Sequence, residues 1–293
     1  MARFGTVLTA MVTPFDDDLA LDLDAAAALA RWLTEHGSDG LVVAGTTGES
    51  PVLDDGEKLD LFRAVAEAVT VPVIAGTGSN DTRHSVELTK AAAGTGIDAV
   101  LAVTPYYNRP SQAGIGGHVR AIAGASDLPV VLYDVGFRTG RKIERETVLG
   151  LARDVPKVVA LKDAGGDPAA TAALVADAPG GFEVYSGDDK LTLPLLAVGA
   201  VGVVGVGTHW CGELVGEMIA AFGKGDVETA RAVNARLLES WAFQSTDETP
   251  SPLPTKAAMR VLGQRVGDAR PPMGPSPAWL DDRARAVVTA VRG

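Results

Sequence analysis

Eight short runs of apolar, β-favouring residues recur along the chain, separated for the most part by longer Ala- and Leu-rich stretches. The runs are Val7–Val12, Gly40–Ala44, Val71–Ala75, Ala99–Val103, Pro129–Tyr133, Val158–Leu161, Phe182–Tyr185 and Gly202–Val206. Most are apolar at every position. A strand covered on one face alternates apolar and polar residues; a parallel strand covered on both faces does not. Between the runs lie amphipathic stretches. Asp24–His36 brings Leu29, Trp32 and Leu33 together at helical spacing, and Asp54–Val69 and Thr82–Ala93 are further helical segments. Eight β/α repeats within about 225 residues predict an α/β fold, a closed (β/α)8 TIM barrel. An open doubly wound sheet is disfavoured, because no glycine-rich dinucleotide fingerprint follows the first run.

After the eighth run, Gly212–Phe222 reads as the helix that closes the barrel. From Asp226 on there is no strand signal. Asp226–Trp241 is helical, with Asp226 as N-cap behind Gly223 and Gly225; Thr255–Leu262 follows Pro252 and Pro254; the Pro-rich Arg270–Pro277 leads to a last helix through Val291. The expected organisation is a catalytic barrel over residues 1–225 and a small C-terminal helical domain over residues 226–293, packed on the barrel.

Composition narrows the partners. Of 293 residues, 46% are apolar, enough for a large core, and the formal charge is -11. An acidic chain has no bulk attraction for nucleic acid or anionic lipid, so neither is an expected partner. A local cluster of cations can still hold a small anion. The single cysteine, Cys211, excludes an internal disulfide and reads as a buried apolar residue. No apolar run is long enough to span a bilayer, and Met1–Gly5 shows no signal-peptide pattern; a soluble, cytoplasmic protein is expected. No His/Asp/Glu set has metal-ligand spacing, so no metal is expected.

Barrel active sites lie at the C-terminal ends of the strands. Lys162 ends the apolar run Val158–Leu161, a position that faces either the barrel mouth or the surrounding helices. Burial disfavours a charged amine, and a neutral amine attacks carbonyls to form imines. The plainer reading is a lysine paired with Asp163. Tyr133 also ends an apolar run, as a core aromatic or as a proton shuttle, with Thr46 and Tyr107 available to form a hydrogen-bond chain. Thr47 and its flanking glycines offer an anion cradle, and Arg138 a fork for a second carboxylate. Taken together, these groups suggest a keto acid and a second anionic substrate. The histidines are less telling: His36 ends a helix, His118 reads as structural, and His209 follows the eighth run near the mouth. Asp16–Asp18 reads as a solvated turn.

The segments Gly45-Thr46-Thr47-Gly48-Glu49-Ser50, Val103-Thr104-Pro105-Tyr106-Tyr107-Asn108-Arg109-Pro110, Leu132-Tyr133, Arg138-Thr139-Gly140, Leu161-Lys162-Asp163-Ala164 and Ser186-Gly187-Asp188-Asp189 resemble, in order and spacing, the signature segments of the dihydrodipicolinate synthases. The resemblance covers nearly the whole chain; the lysine and tyrosine are shared with the wider pyruvate-dependent lyases and aldolases. It implies that Lys162 forms a Schiff base with pyruvate. Tyr133, Thr46 and Tyr107 would relay protons, with Tyr107 reaching into a neighbouring subunit. Thr47 would hold the pyruvate carboxylate, Arg138 would bind L-aspartate 4-semialdehyde, and Gly187 and Val204 would line the pyruvate pocket. It further implies no metal or organic cofactor, and a homotetramer built as a dimer of dimers.

Two departures from the family pattern stand out. Asp134-Val135-Gly136-Phe137-Arg138 replaces the usual Asn-Val-Pro-x-Arg, and loss of the proline is expected to loosen the loop carrying Arg138. Lysine-inhibited members tend to have Glu where His84 stands and His where Lys58 stands. Cations at both places would repel lysine, leaving Ser50, Asn80, His84 and Tyr106 as a degenerate regulatory site. The competing readings are another aldolase of the group, such as N-acetylneuraminate lyase or a 2-keto-3-deoxy-sugar-acid aldolase, and a non-catalytic keto-acid-binding relative.

Overall fold

The computed structural model describes residues 2–292. Its strands are β1 (Val7–Ala10), β2 (Gly40–Val43), β3 (Val73–Gly76), β4 (Ala99–Val103), β5 (Val130–Asp134), β6 (Val158–Asp163), β7 (Glu183–Ser186) and β8 (Gly202–Gly205). They form one closed barrel in chain order. Every pairing is parallel, and β8 closes onto β1 through Val7↔Val203 and Leu8↔Val204. Most predicted strands lie within a residue or two of those observed. The informative difference is β6, which continues through Lys162 and Asp163 instead of stopping at Leu161. Both residues stay in the ladder, opposite Tyr133 and Asp134 on one side and Tyr185 and Ser186 on the other.

The helices are α1 (Leu23–Glu35), α2 (Asp55–Ala68), α3 (Thr82–Ala92), α4 (Gln112–Ala123), α5 (Gly136–Thr139), α6 (Arg145–Asp154), α7 (Pro168–Asp177), α8 (Thr192–Leu196), α9 (Thr208–Gly223), α10 (Val227–Phe243), α11 (Leu253–Val261) and α12 (Leu280–Arg292). Side-chain caps start many of them. Asp22, Asp81, Ser111, Asp167 and Asp226 accept first-turn N–H groups, and Asp54 forms a reciprocal capping box with Glu57. Helix α9 begins at Thr208, earlier than the predicted Gly212, and breaks its helical geometry at Cys211. Cys211 is buried, as expected of an apolar residue.

Two apolar layers hold the molecule together. Leu8, Val42, Ile74, Leu101, Val131 and Val204 fill the barrel interior. A second layer lies between the strands and the helices, and it includes Leu237, Ala257 and Val287 of the C-terminal helices together with Leu33 and Met218 of the barrel. The tail therefore shares a continuous core with the barrel. Among the described residues no helix is long and apolar enough to cross a membrane.

Candidate active site

The site grows out of the β5–β6 pairing. Tyr133 and Lys162 stand opposite each other in register, and the Lys162 Nζ lies 4.4 Å from the centroid of the Tyr133 ring. Only 5% of Lys162 is exposed, so its amine is nearly out of water at the bottom of the mouth. Asp163, the alternative partner read from the sequence, turns away. Its carboxylate accepts from the Gly165 N–H at 2.8 Å and the Thr171 hydroxyl at 2.5 Å. Gly187 packs against the lysine stem, where a Cβ would come 3.0 Å from Lys162 Cγ. A side chain there would push on the amine, which gives the glycine a packing reason.

Lys162, Gly187, Tyr133, Thr46, Thr47 and Arg138 line one cavity of about 290 Å³. An adjoining apolar hollow shares Thr46, Tyr133, Val135 and Arg138 with it and extends to Tyr106 and Ser50. Arg138 sits in the single turn of α5 directly after β5. The turn is well held: Gly140 N–H donates to Gly136 O at 2.9 Å, and the Thr139 hydroxyl donates to Arg141 O at 2.8 Å. Gly136 occupies the first helical position, and the hydrogen bonds that follow it close the turn without a proline.

Val204, expected to line the pocket, is not in this cavity, and neither is Tyr107, expected to reach a neighbouring subunit. Tyr107 is 91% exposed and adopts a left-handed backbone at φ 70°, so its phenol leaves its own chain's site. Val204 belongs to the apolar layer below, and Val206, two residues further along, lines the cavity instead. Asp189, from the Ser186–Asp189 segment, also lines it, as do Trp241, Gln244 and Ser251, which sequence reasoning did not single out. The last three come from the C-terminal helices and the segment between them, where strand-end logic does not look.

Asp189 is fully enclosed, and burial pushes its carboxyl up to about 6; the Val206 N–H opposes the rise, Asp188 adds to it, and the Gly207 N–H and the Lys162 charge oppose it. The two N–H groups donate to it at 2.8 and 3.1 Å. His209, which read as a candidate at the mouth, is structural. Its Nε2 accepts from Val12 N–H at 3.1 Å, its Nδ1 meets Val206 O at 2.8 Å, and burial pulls it down to about 4. His118 is likewise buried, against the Thr82 hydroxyl at 2.9 Å.

A separate cavity of about 280 Å³ gathers Ser50, Asn80, His84 and Tyr106 with Lys58 and Asp55. Asp55 is the residue that the sequence argument overlooked. Its carboxylate meets His84 Nε2 at 2.9 Å and Lys58 Nζ at 3.8 Å, so the two bases share one counter-charge. Among the described residues, no group of three or more His, Cys, Asp or Glu side chains is placed to hold a metal ion.

Comparison with known proteins agrees with this geometry. The 4-hydroxy-tetrahydrodipicolinate synthase of Acidothermus cellulolyticus is 52% identical over 99% of this chain and 93% of its own, and that of Bacillus subtilis 46% identical over 93% and 94%. Crystal structures of dihydrodipicolinate synthase from Bacillus anthracis and from Cyanidioschyzon merolae, the latter with lysine bound, superpose with TM-scores of 0.94 and 0.95. They are 43% and 42% identical to this chain, with 99% of both chains covered in each comparison. The Dihydrodipicolinate synthetase family profile matches residues 3–290, and with a full-length match of sequence, barrel and strand-end cavity, the chain belongs to that family.

Proposed function

We propose that this chain is a 4-hydroxy-tetrahydrodipicolinate synthase, a lyase that condenses pyruvate with L-aspartate 4-semialdehyde on the route to diaminopimelate and lysine. One observation carries the reading: a buried amine, Lys162, ends a barrel strand with the Tyr133 ring 4.4 Å away, inside a cavity that also holds an arginine and two threonines.

The Lys162 nitrogen adds to the ketone carbon of pyruvate. Loss of water gives an imine, and loss of a methyl proton gives the enamine nucleophile. Tyr133 carries protons between these steps, assisted by the Thr46 hydroxyl. Thr47 holds the pyruvate carboxylate, and the Arg138 guanidinium clamps the carboxylate of the semialdehyde so that its aldehyde carbon faces the enamine. The new carbon–carbon bond places the substrate's own amine near the imine carbon. Its addition closes the ring and expels Lys162 as the free amine. Gly187 leaves room for the lysine stem throughout. Neither a metal nor an organic cofactor is needed for this sequence of steps.

The exposed Tyr107 supports assembly, because a phenol that leaves its own site can complete a neighbour's relay. We place the protein in the cytoplasm as a homotetramer, a dimer of dimers, with residues 1–225 as the catalytic barrel and 226–293 as the helical domain. An assay with pyruvate and a panel of aldehydes tests the activity. Turnover of L-aspartate 4-semialdehyde, without comparable turnover of N-acetylmannosamine or simple sugar aldehydes, is expected. The reverse preference would assign the chain to the sugar-acid aldolases.

A further inference from the structure

A group of charges lies away from the cavity, with an enclosed ion pair at its centre. Lys256 of α11 is fully buried, and its Nζ contacts Glu49 Oε1 at 2.8 Å as an ion pair whose two side chains are 0% and 2% exposed. The same Nζ donates to Asp268 O at 2.8 Å and lies 4.2 Å from the Phe15 ring centroid. Glu49 Oε2 accepts the Arg270 N–H at 2.9 Å. The Arg270 guanidinium lies 4.3 Å from the Phe15 ring centroid and donates to Leu19 O, Val52 O and both oxygens of Glu57. Two cations of the C-terminal segment therefore hold the loops after β1 and β2.

Taking a lysine and a glutamate out of water is costly, and well-packed apolar side chains often serve stability as well or better. The location of the pair points to another use. Glu49 closes the Thr46–Glu49 turn, donating its N–H to Thr46 O at 3.1 Å, and takes a left-handed backbone at φ 57°. The preceding Gly48 O is held by the Thr13 hydroxyl at 2.6 Å. Thr46 and Thr47, in the same turn, line the cavity beside Lys162.

We propose that Glu49 and Lys256 are positioning residues: their buried pair pins the Thr46–Thr47 turn from the C-terminal helices and so sets where the keto-acid carboxylate and the relay hydroxyl sit. The proposal rests on the reading of Lys162 as the imine-forming residue. The pair touches no substrate. It acts through the turn, where a displacement of about 1 Å is enough to cost about a hundredfold in rate.

The test uses full-length Glu49→Gln, Lys256→Met and the double variant. Thermal midpoints, the KM for pyruvate, the KM for the semialdehyde and the rate of borohydride-trapped imine formation are measured for each. Lys256→Met leaves Glu49 buried without its partner and is expected to lower the midpoint most; the double variant restores neutrality and recovers it. Glu49→Gln and the double variant are expected to lose about ten- to a hundredfold in kcat/KM for pyruvate and in trapping rate. Their KM for the semialdehyde, set by Arg138, stays near the wild-type value. A double variant that regains both wild-type stability and wild-type pyruvate kinetics overturns the proposal and leaves the pair a packing feature. If the double variant fails to fold, Glu49→Gln decides alone, since it keeps the side-chain shape. Unchanged pyruvate kinetics in it overturn the proposal. Wild-type protein that traps no pyruvate on Lys162 removes the Lys162 reading and this proposal with it, an outcome distinct from normal trapping in wild type and variants alike.

Discussion

Individual side chains differ in how openly the sequence announces them. Lys162 and Tyr133 are legible because each is a reactive group ending an apolar run, and strand pairing makes them neighbours. Asp189 is not legible in the same way. The segment Ser186-Gly187-Asp188-Asp189 marks a polar strand end without showing which aspartate is enclosed: Asp189 is buried beneath the backbone of Val206 and Gly207 while Asp188 stays partly open. Asp134 is a second buried carboxylate, and it stands where the family usually has asparagine. Burial pushes it up to about 6; the Ile143 N–H opposes this, the Asp163 charge adds to it and Lys142 opposes it. In the unfolded chain the carboxyl titrates near about 4. Between these values the folded state holds the proton more tightly, so Asp134 lowers stability as pH rises through the window, with the full penalty above it. The Asp134→Asn variant should gain up to about 3 kcal/mol over wild type at pH ~8, and much less at pH ~4. Urea denaturation at the two pH values checks this. Equal gains at both would mean that ionisation is not the cause.

At the scale of elements, the strands and most helices follow from periodicity and capping, whereas the short turns do not. The turn α5 is only four residues long, too short to show a helical period, and its stability comes from hydrogen bonds made at both ends. Gly136 sits at its first position, where proline is well tolerated, and its N–H makes no backbone bond among those that close the turn. Gly136→Pro should therefore stabilise the protein by about 0.4–1 kcal/mol through the unfolded chain and leave the KM for the semialdehyde unchanged or lower. A fall in thermal midpoint would show that the turn needs glycine. The cavity between α2 and α3 carries a different expectation. Asp55 is the one carboxylate lining it among the described residues, and it is already engaged by His84 and Lys58. Burial draws the Lys58 amine below its usual range, and the nearby Asp55 and Asp54 oppose this. A lysine molecule entering here finds no free counter-charge for its amines. Lysine should inhibit weakly or not at all, and an inhibition constant in the low micromolar to sub-millimolar range, from steady-state kinetics, would contradict this.

For the molecule as a whole, the closed barrel was legible because eight runs, most of them continuously apolar, leave few other ways to cover both faces of each strand. The role of the tail was not. Its helices carry no strand-end signal, yet they bring Trp241 and Gln244 to the cavity and anchor the Thr46–Glu49 turn through Lys256. The exposure of Tyr107 is in keeping with the family pattern, which has this tyrosine reaching away from its own chain's site. The account depends on a single amine, enclosed where barrel and tail meet, becoming covalently bound to pyruvate. Borohydride reduction in the presence of pyruvate, followed by peptide mapping by mass spectrometry, tests this most directly. The account predicts a reduced adduct on Lys162 that disappears in Lys162→Met. An adduct on another lysine, or none in active wild-type protein, would contradict it.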